Sequence, residues 1–108
     1  MLCYANSTCI PLIMIEKDLE RWLVKECRKW RIHCRKWTSP SQRGVPDRIL
    51  VFNGKVLFLE LKAPGEEPSP LQRWEMKCLA EAGAWVEWTD NVYDTQLLLV
   101  SLCPNYAP

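Results

Sequence analysis

Residues 44–62 read Gly-Val-Pro-Asp-Arg-Ile-Leu-Val-Phe-Asn-Gly-Lys-Val-Leu-Phe-Leu-Glu-Leu-Lys. Two apolar runs, 49–52 and 56–59, flank Asn53-Gly54. That dipeptide between hydrophobic runs predicts a two-residue hairpin turn, because a type I′ turn needs positive φ at both central positions. Phe52 then pairs with Lys55, and the register carried down the strands sets Asp47 opposite Glu60. Opposed residues share a face, with Cβ atoms about 4.5–5.5 Å apart. Lys62 lies two residues beyond Glu60 and shares that face. Away from this end both faces are apolar. Leu50, Phe52, Leu57, Leu59 and Leu61 point one way, and Ile49, Val51, Val56 and Phe58 the other. Strands apolar on both faces are expected in the middle of a sheet, with helices above and below.

The open end of the hairpin therefore gathers two carboxylates and an ammonium. Two like charges directly opposed destabilise a sheet unless something neutralises them. One solution is a surface charge cluster centred on Lys62. The other is a hard divalent cation such as Mg²⁺, which takes oxygen ligands and is held by one or two carboxylates with waters and substrate phosphate.

At 108 residues the chain is expected to be one domain. The net charge is only +1, which by itself gives little pull on nucleic acid, but the charge is unevenly spread. Arg21, Lys25, Arg28, Lys29, Arg31, Arg35, Lys36, Arg43 and Arg48 fall in one stretch, and most acidic residues come later. The 6 cysteines include no Cys-x-x-Cys spacing, and the single histidine is His33, so a zinc site is not expected. Cys27 and Cys78 fall on apolar helix faces and read as reduced core thiols.

Residues 1–14 are mildly apolar, lack a basic leading region and are too short to span a bilayer. They read as an extension outside the core. Residues 15–30 read as a helix, with Ile15, Leu19, Trp22, Leu23, Cys27 and Trp30 at spacings of three and four. Residues 32–38 read as a short strand, with His33 a structural or surface residue. The loop 39–44 leads into the hairpin, and Pro46 suits a strand start. Ser69 and Pro70 read as N-cap and first residue of a second helix. Its apolar face would be Leu71, Trp74, Cys78, Leu79 and Ala82, with Gly83 just past its end. Gln72 completes a Ser-x-x-Gln capping box. Residues 85–88 read as a last strand. Thr89 or Asp90 would cap a final helix to residue 102, and 103–108 read as a tail.

Asp47 followed by Glu60-Leu61-Lys62 resembles the split Asp…(Asp/Glu)-x-Lys signature of the PD-(D/E)XK nucleases. Four stretches, 36–40, 43–48, 58–65 and 70–72, are similar to the VRR-NUC branch, the virus-type replication and repair nucleases. The resemblance runs over about residues 15–100. It implies an α/β, restriction-endonuclease-like αβββαβ core with a mixed four-stranded sheet flanked by helices, here over residues 15–102. It also implies a DNA endonuclease dependent on Mg²⁺ or Mn²⁺, structure-selective in replication, repair or recombination. Asp47 and Glu60 would hold the metal, with the Leu61 carbonyl and a first-helix glutamate as further ligands. The Leu-Glu-Arg triplet matches Glu20, with Glu16 the alternative. Lys62 would position water or stabilise charge, and Gln72 would border the site. Lys36, Ser39, Arg43 and Arg48 would touch DNA. A Holliday-junction resolvase-like dimer and a non-catalytic DNA-binding module of the same fold are the alternatives. A cytoplasmic location is expected, in the host if the chain is virus-encoded. A homodimer is expected because a single small module offers only about 600–1,000 Å² to DNA. Trp30, Trp37 and Trp88 are the candidate interface residues.

Overall fold

A computed structural model describes residues 15–108. The expected N-terminal extension therefore lies outside the described residues. The order is α1 (Glu16–Lys29), β1 (His33–Lys36), β2 (Arg48–Phe52), β3 (Lys55–Leu61), α2 (Pro70–Glu81), β4 (Trp85–Thr89) and α3 (Val92–Leu102). The four strands form one sheet in the order β1-β2-β3-β4. β1 and β2 pair antiparallel, as do β2 and β3, while β3 and β4 pair parallel through the α2 crossover. This is the expected mixed α/β sandwich.

The hairpin turns at Asn53 (φ 49°) and Gly54 (φ 83°), the left-handed pair that a type I′ turn requires. Phe52 pairs with Lys55 and Arg48 with Leu59, the expected register. One face of the hairpin forms the core: Leu50, Leu57, Leu59 and Leu61 are each no more than 1% exposed, with Phe52 partly buried beside them. They pack with Leu19, Leu23 and Cys27 of α1 and Val92, Leu99 and Leu102 of α3. The opposite face is less covered than expected. Ile49, Val51 and Phe58 are half-buried and Val56 is exposed. α2 lies mainly against β4 and the Glu60 end, and leaves the hairpin tip open.

α2 is also turned from its expected phase. Leu71 and Trp74 are exposed, whereas Met76 is buried and Gln72 and Leu79 are half-buried. The stripe 72-76-79 faces inward because Gln72 engages Glu60. Ser69 caps α2 and Gly83 (φ 99°) follows its C-cap. α3 is capped by Asn91, not Thr89 or Asp90: Asn91 Oδ1 accepts from the Asp94 amide at 2.8 Å. Thr89 is instead buried in β4, with its hydroxyl 2.8 Å from that of Thr95.

Residues 103–108 are not a loose tail. Cys103 and Tyr106 are buried in the core cluster. The Tyr106 hydroxyl donates to Glu26 Oε2 at 2.6 Å, across 80 residues of sequence, and its ring packs edge-on against Trp30. Trp37 packs on Phe58 and Trp88 lies under the Arg73 guanidinium, so the three tryptophans expected at an interface all serve this chain's own packing. Cys27 and Cys78 are free thiols, Cys27 buried and Cys78 half-buried. Among the described residues, no helix is long and apolar enough to cross a membrane.

Candidate active site

The site forms where β2 begins and β3 ends. Asp47 immediately precedes the first laddered residue of β2, and its main-chain carbonyl accepts from the Trp37 amide at 2.8 Å, pinning it beside the end of β1. Its Oδ2 accepts from the Leu61 amide at 3.4 Å. Asp47 thus reaches across to the Glu60-Leu61 peptide, as the hairpin register requires. Lys62 continues the β3–β4 ladder by donating its amide to the Thr89 carbonyl at 2.9 Å.

Glu60 is 2% exposed, an unusual position for a carboxylate. Lys62 Nζ lies 3.5 Å from its Oε2, and Gln72 Nε2 donates to the same oxygen at 3.0 Å. Oε1 is buried with no hydrogen-bond donor among the described residues. Burial pushes the Glu60 carboxyl up to about 7, with the charge of Asp47 adding to the shift and Lys62 opposing it. The Asp47 carboxyl is also raised, by burial first and by Glu20 among its neighbours, against the lowering effect of the Leu61 amide. Each carboxyl is thus raised in part by a neighbouring negative charge: Asp47 acts on Glu60, and Glu20 on Asp47.

Gln72 makes two contacts at once. Its Oε1 accepts from the Ser69 amide at 2.8 Å, closing the capping box, and its Nε2 holds Glu60. One side chain thereby fastens the start of α2 to the end of β3. Gly44 makes a second fastening. Its φ is 85°, and a Cβ there would lie 2.9 Å from the Leu71 carbonyl oxygen in the first turn of α2.

The two glutamates of α1 behave differently. Glu20 Oε2 accepts from Arg48 Nη2 at 2.9 Å, a pair 28 residues apart with no local sequence signal. Glu16 has no ion-pair partner among the described residues. Its carboxyl is raised by burial and then by Asp47, with Lys62 opposing. Among the described residues, no group of three or more His, Cys, Asp or Glu side chains is gathered for a metal. The donor set that does converge is Asp47 with Glu60, two hard oxygen donors with an orphaned buried oxygen. Such a pair fits a Mg²⁺-type ion completed by carbonyl and water oxygens.

Of the residues expected to touch DNA, Lys36 and Arg43 are exposed and Ser39 is half-exposed. Lys36 pairs with Arg48 in the ladder and so stands next to Asp47. Arg48 is turned inward onto Glu20, with its side chain 14% exposed.

The chain is 50% identical over 77 residues to the protein named "Putative nuclease p44" of Acyrthosiphon pisum secondary endosymbiont phage 1, a match covering 70% of this chain and 83% of that protein. No family model matches the chain. Among solved structures, a VRR_NUC domain superposes with a TM-score of 0.72 at 20% identity, covering 85% of this chain and 97% of the other. A VRR_NUC domain protein superposes at 0.64 and 17% identity, covering 83% and 91% respectively. The fold, the hairpin site and the phage relative agree: the chain belongs to the VRR-NUC family of nucleases.

Proposed function

We propose that the protein is a DNA endonuclease that uses Mg²⁺ or Mn²⁺ to hydrolyse phosphodiester bonds. The observation that carries this reading is Glu60: a buried carboxylate facing a second carboxylate, with one oxygen left without a donor. The Leu61 amide, Gln72 and Lys62 satisfy only part of this pair. A cation would balance the rest. Asp47 and Glu60 would hold it, with the Leu61 carbonyl as a further oxygen ligand. When bound, such an ion supplies a water of lowered pKa and offsets charge developing on the phosphate. Gln72 holds Glu60 Oε2 and leaves Oε1 without a partner among the described residues. Lys62, 3.5 Å from Glu60, is positioned to orient water and to stabilise the charged phosphate oxygens.

The third carboxylate from α1 is assigned to Glu16. The sequence match points to Glu20, and both glutamates lie close enough to act on Asp47, but Glu20 is held by Arg48 whereas Glu16 has no ion-pair partner among the described residues.

Assembly as a homodimer is part of the same proposal. Tyr93, Leu97 and Val100 form an exposed apolar stripe along one side of α3, at helical spacings of four and three. A second copy is the occupant favoured by the small DNA footprint of one such domain, since symmetric pairing doubles it. Two sites acting on two strands would suit branched DNA.

The test is nicking of supercoiled plasmid with Mg²⁺, Mn²⁺ or EDTA, followed by linear, flap and four-way substrates. Cleavage with either metal and none in EDTA is expected. Equal cleavage in EDTA would remove the metal-dependent reading. Equal rates on linear and four-way DNA would remove the structure-selective one.

A further inference from the structure

β1 forms one edge of the sheet and carries Arg35 and Lys36; β4 forms the other and carries Glu87. The basic edge continues into the end of α1 with Arg28 and Arg31. Between α1 and β1 lies a cleft of about 310 Å³. Arg28, Arg31, His33 and Arg35 surround it, and Cys27 and Cys34 are among its apolar lining.

Apart from Glu16, at the far end of the helix, the carboxylates of α1 are engaged by other groups. Asp18 pairs with Arg21 at 3.3 Å, Glu20 with Arg48 at 2.9 Å, and Glu26 accepts from Tyr106 at 2.6 Å. Arg28, Arg31 and Arg35 therefore have no carboxylate within ion-pair distance among the described residues. Arg31 also adopts φ 59°, just past the C-cap of α1, where glycine is favoured. A long cationic side chain there carries a conformational cost that a glycine would avoid. The Cys34 thiol on the cleft wall is lowered to about 7, first by its hydrogen bond with Cys27 and then by Arg48 and Arg35, against burial.

We propose that this α1–β1 edge grips the phosphate backbone of duplex DNA flanking the scissile bond, with Arg28, Arg31 and Arg35 as the phosphate ligands. The identity of the ligand rests on the nuclease reading above. Guanidinium groups match phosphate geometry with paired N–H donors. The placement fits a duplex running out of the site. Lys36 stands opposite Arg48 beside Asp47, and His33 lies at the far end of the strand. At about 3.3 Å per residue, β1 and the turn before it reach about 15 Å from the site. That distance spans four or so base-pair steps of about 3.4 Å.

The experiment measures anisotropy of a fluorescent duplex two helical turns long, with Ca²⁺ in place of the catalytic metal, across a KCl series. Wild type is compared with the triple variant Arg28→Gln, Arg31→Gln, Arg35→Gln. The log–log salt slope should become shallower by about 2–3, since each lost phosphate contact removes about 0.9. Shortening the flanking duplex to about three base pairs should weaken binding by wild type but not by the variant. Hydrolysis of bis(p-nitrophenyl) phosphate, too small to span site and cleft, should be unchanged. An unchanged slope in the triple variant overturns the proposal. So does an equal loss of slope in a control triple variant, Lys55→Gln, Arg73→Gln, Lys77→Gln, which would make the effect one of net charge. If circular dichroism shows the triple variant unfolded, the three single variants are read instead, each expected to lose about 0.9. Wild type that hydrolyses the small diester with no divalent metal tested would overturn the catalytic reading, while the salt slope still decides the edge.

Discussion

Gln72 Nε2 donates to Glu60 Oε2 at 3.0 Å while its Oε1 accepts from the Ser69 amide. A helix-capping side chain and a positioning side chain are the same residue, so the start of α2 and the rotamer of Glu60 are set together. Gln72→Met keeps the length of the side chain and removes both bonds. Metal affinity or activity should fall about 10–100-fold, the range for losing an outer-shell partner of a ligand. Ser69→Ala removes a cap worth about 1 kcal/mol but leaves the Glu60 contact intact. Its activity below the melting transition should match wild type. Equal losses in the two variants would reduce Gln72 to a helix cap.

The paired carboxyls give a pH dependence of defined sign. Glu60 is raised from 4.5 to about 7, so the folded metal-free protein binds more protons than the unfolded chain between those values. Stability without metal is then greatest at low pH and is lost as pH rises through about 7. Thermal melts in EDTA should show this decline, and saturating Mg²⁺ should offset it at high pH. Glu60→Gln and Asp47→Asn should abolish Mg²⁺-dependent cleavage, yet melt a few degrees higher than wild type in EDTA at alkaline pH. Full cleavage by either variant would overturn the site.

Glu16 and Glu20 separate activity from stability. Glu16→Gln should lower cleavage at least tenfold with little change in melting. Glu20→Gln should cost about 1–3 kcal/mol by leaving the half-buried Arg48 guanidinium without a neutralising charge, while keeping most of the activity. Denaturant melts and cleavage rates on both variants decide the matter, and the reverse ranking would return the ligand role to Glu20.

Gly44 holds the loop before Asp47 against the first turn of α2. Gly44→Ala forces a Cβ to 2.9 Å from the Leu71 carbonyl oxygen at a φ of 85°. Destabilisation of more than about 1 kcal/mol is expected, together with weaker Mg²⁺ binding as the loop shifts. Urea melts and calorimetric metal titration would read the two effects. A neutral substitution would mean that the loop relaxes freely.

The α3 stripe predicts the assembly. Light scattering at micromolar concentration should report twice the 12.6 kDa chain mass. Leu97→Asp should return the protein to a monomer. A monomeric wild type would assign the stripe to another role.

The sequence by itself determined the hairpin and the meeting of its charged residues. Asn53-Gly54 dictates a turn, the turn dictates the register, and the register brings Asp47 to Glu60 and Lys62 without tertiary information. The helix spans, the Ser69-Pro70 start and the Gly83 stop were legible for the same reason: each is fixed by neighbours within a few residues. What only the tertiary structure decided involves partners distant in sequence. The rotation of α2 follows Gln72 reaching Glu60, so Leu71 and Trp74 face outward where periodicity placed them inside. Arg48 closes on Glu20, a pair 28 residues apart that no local pattern announces, and this turns the Arg48 side chain inward. Tyr106 binds Glu26 and draws the last residues into the core, because a phenol-carboxylate bond across 80 residues leaves no periodic trace in the chain.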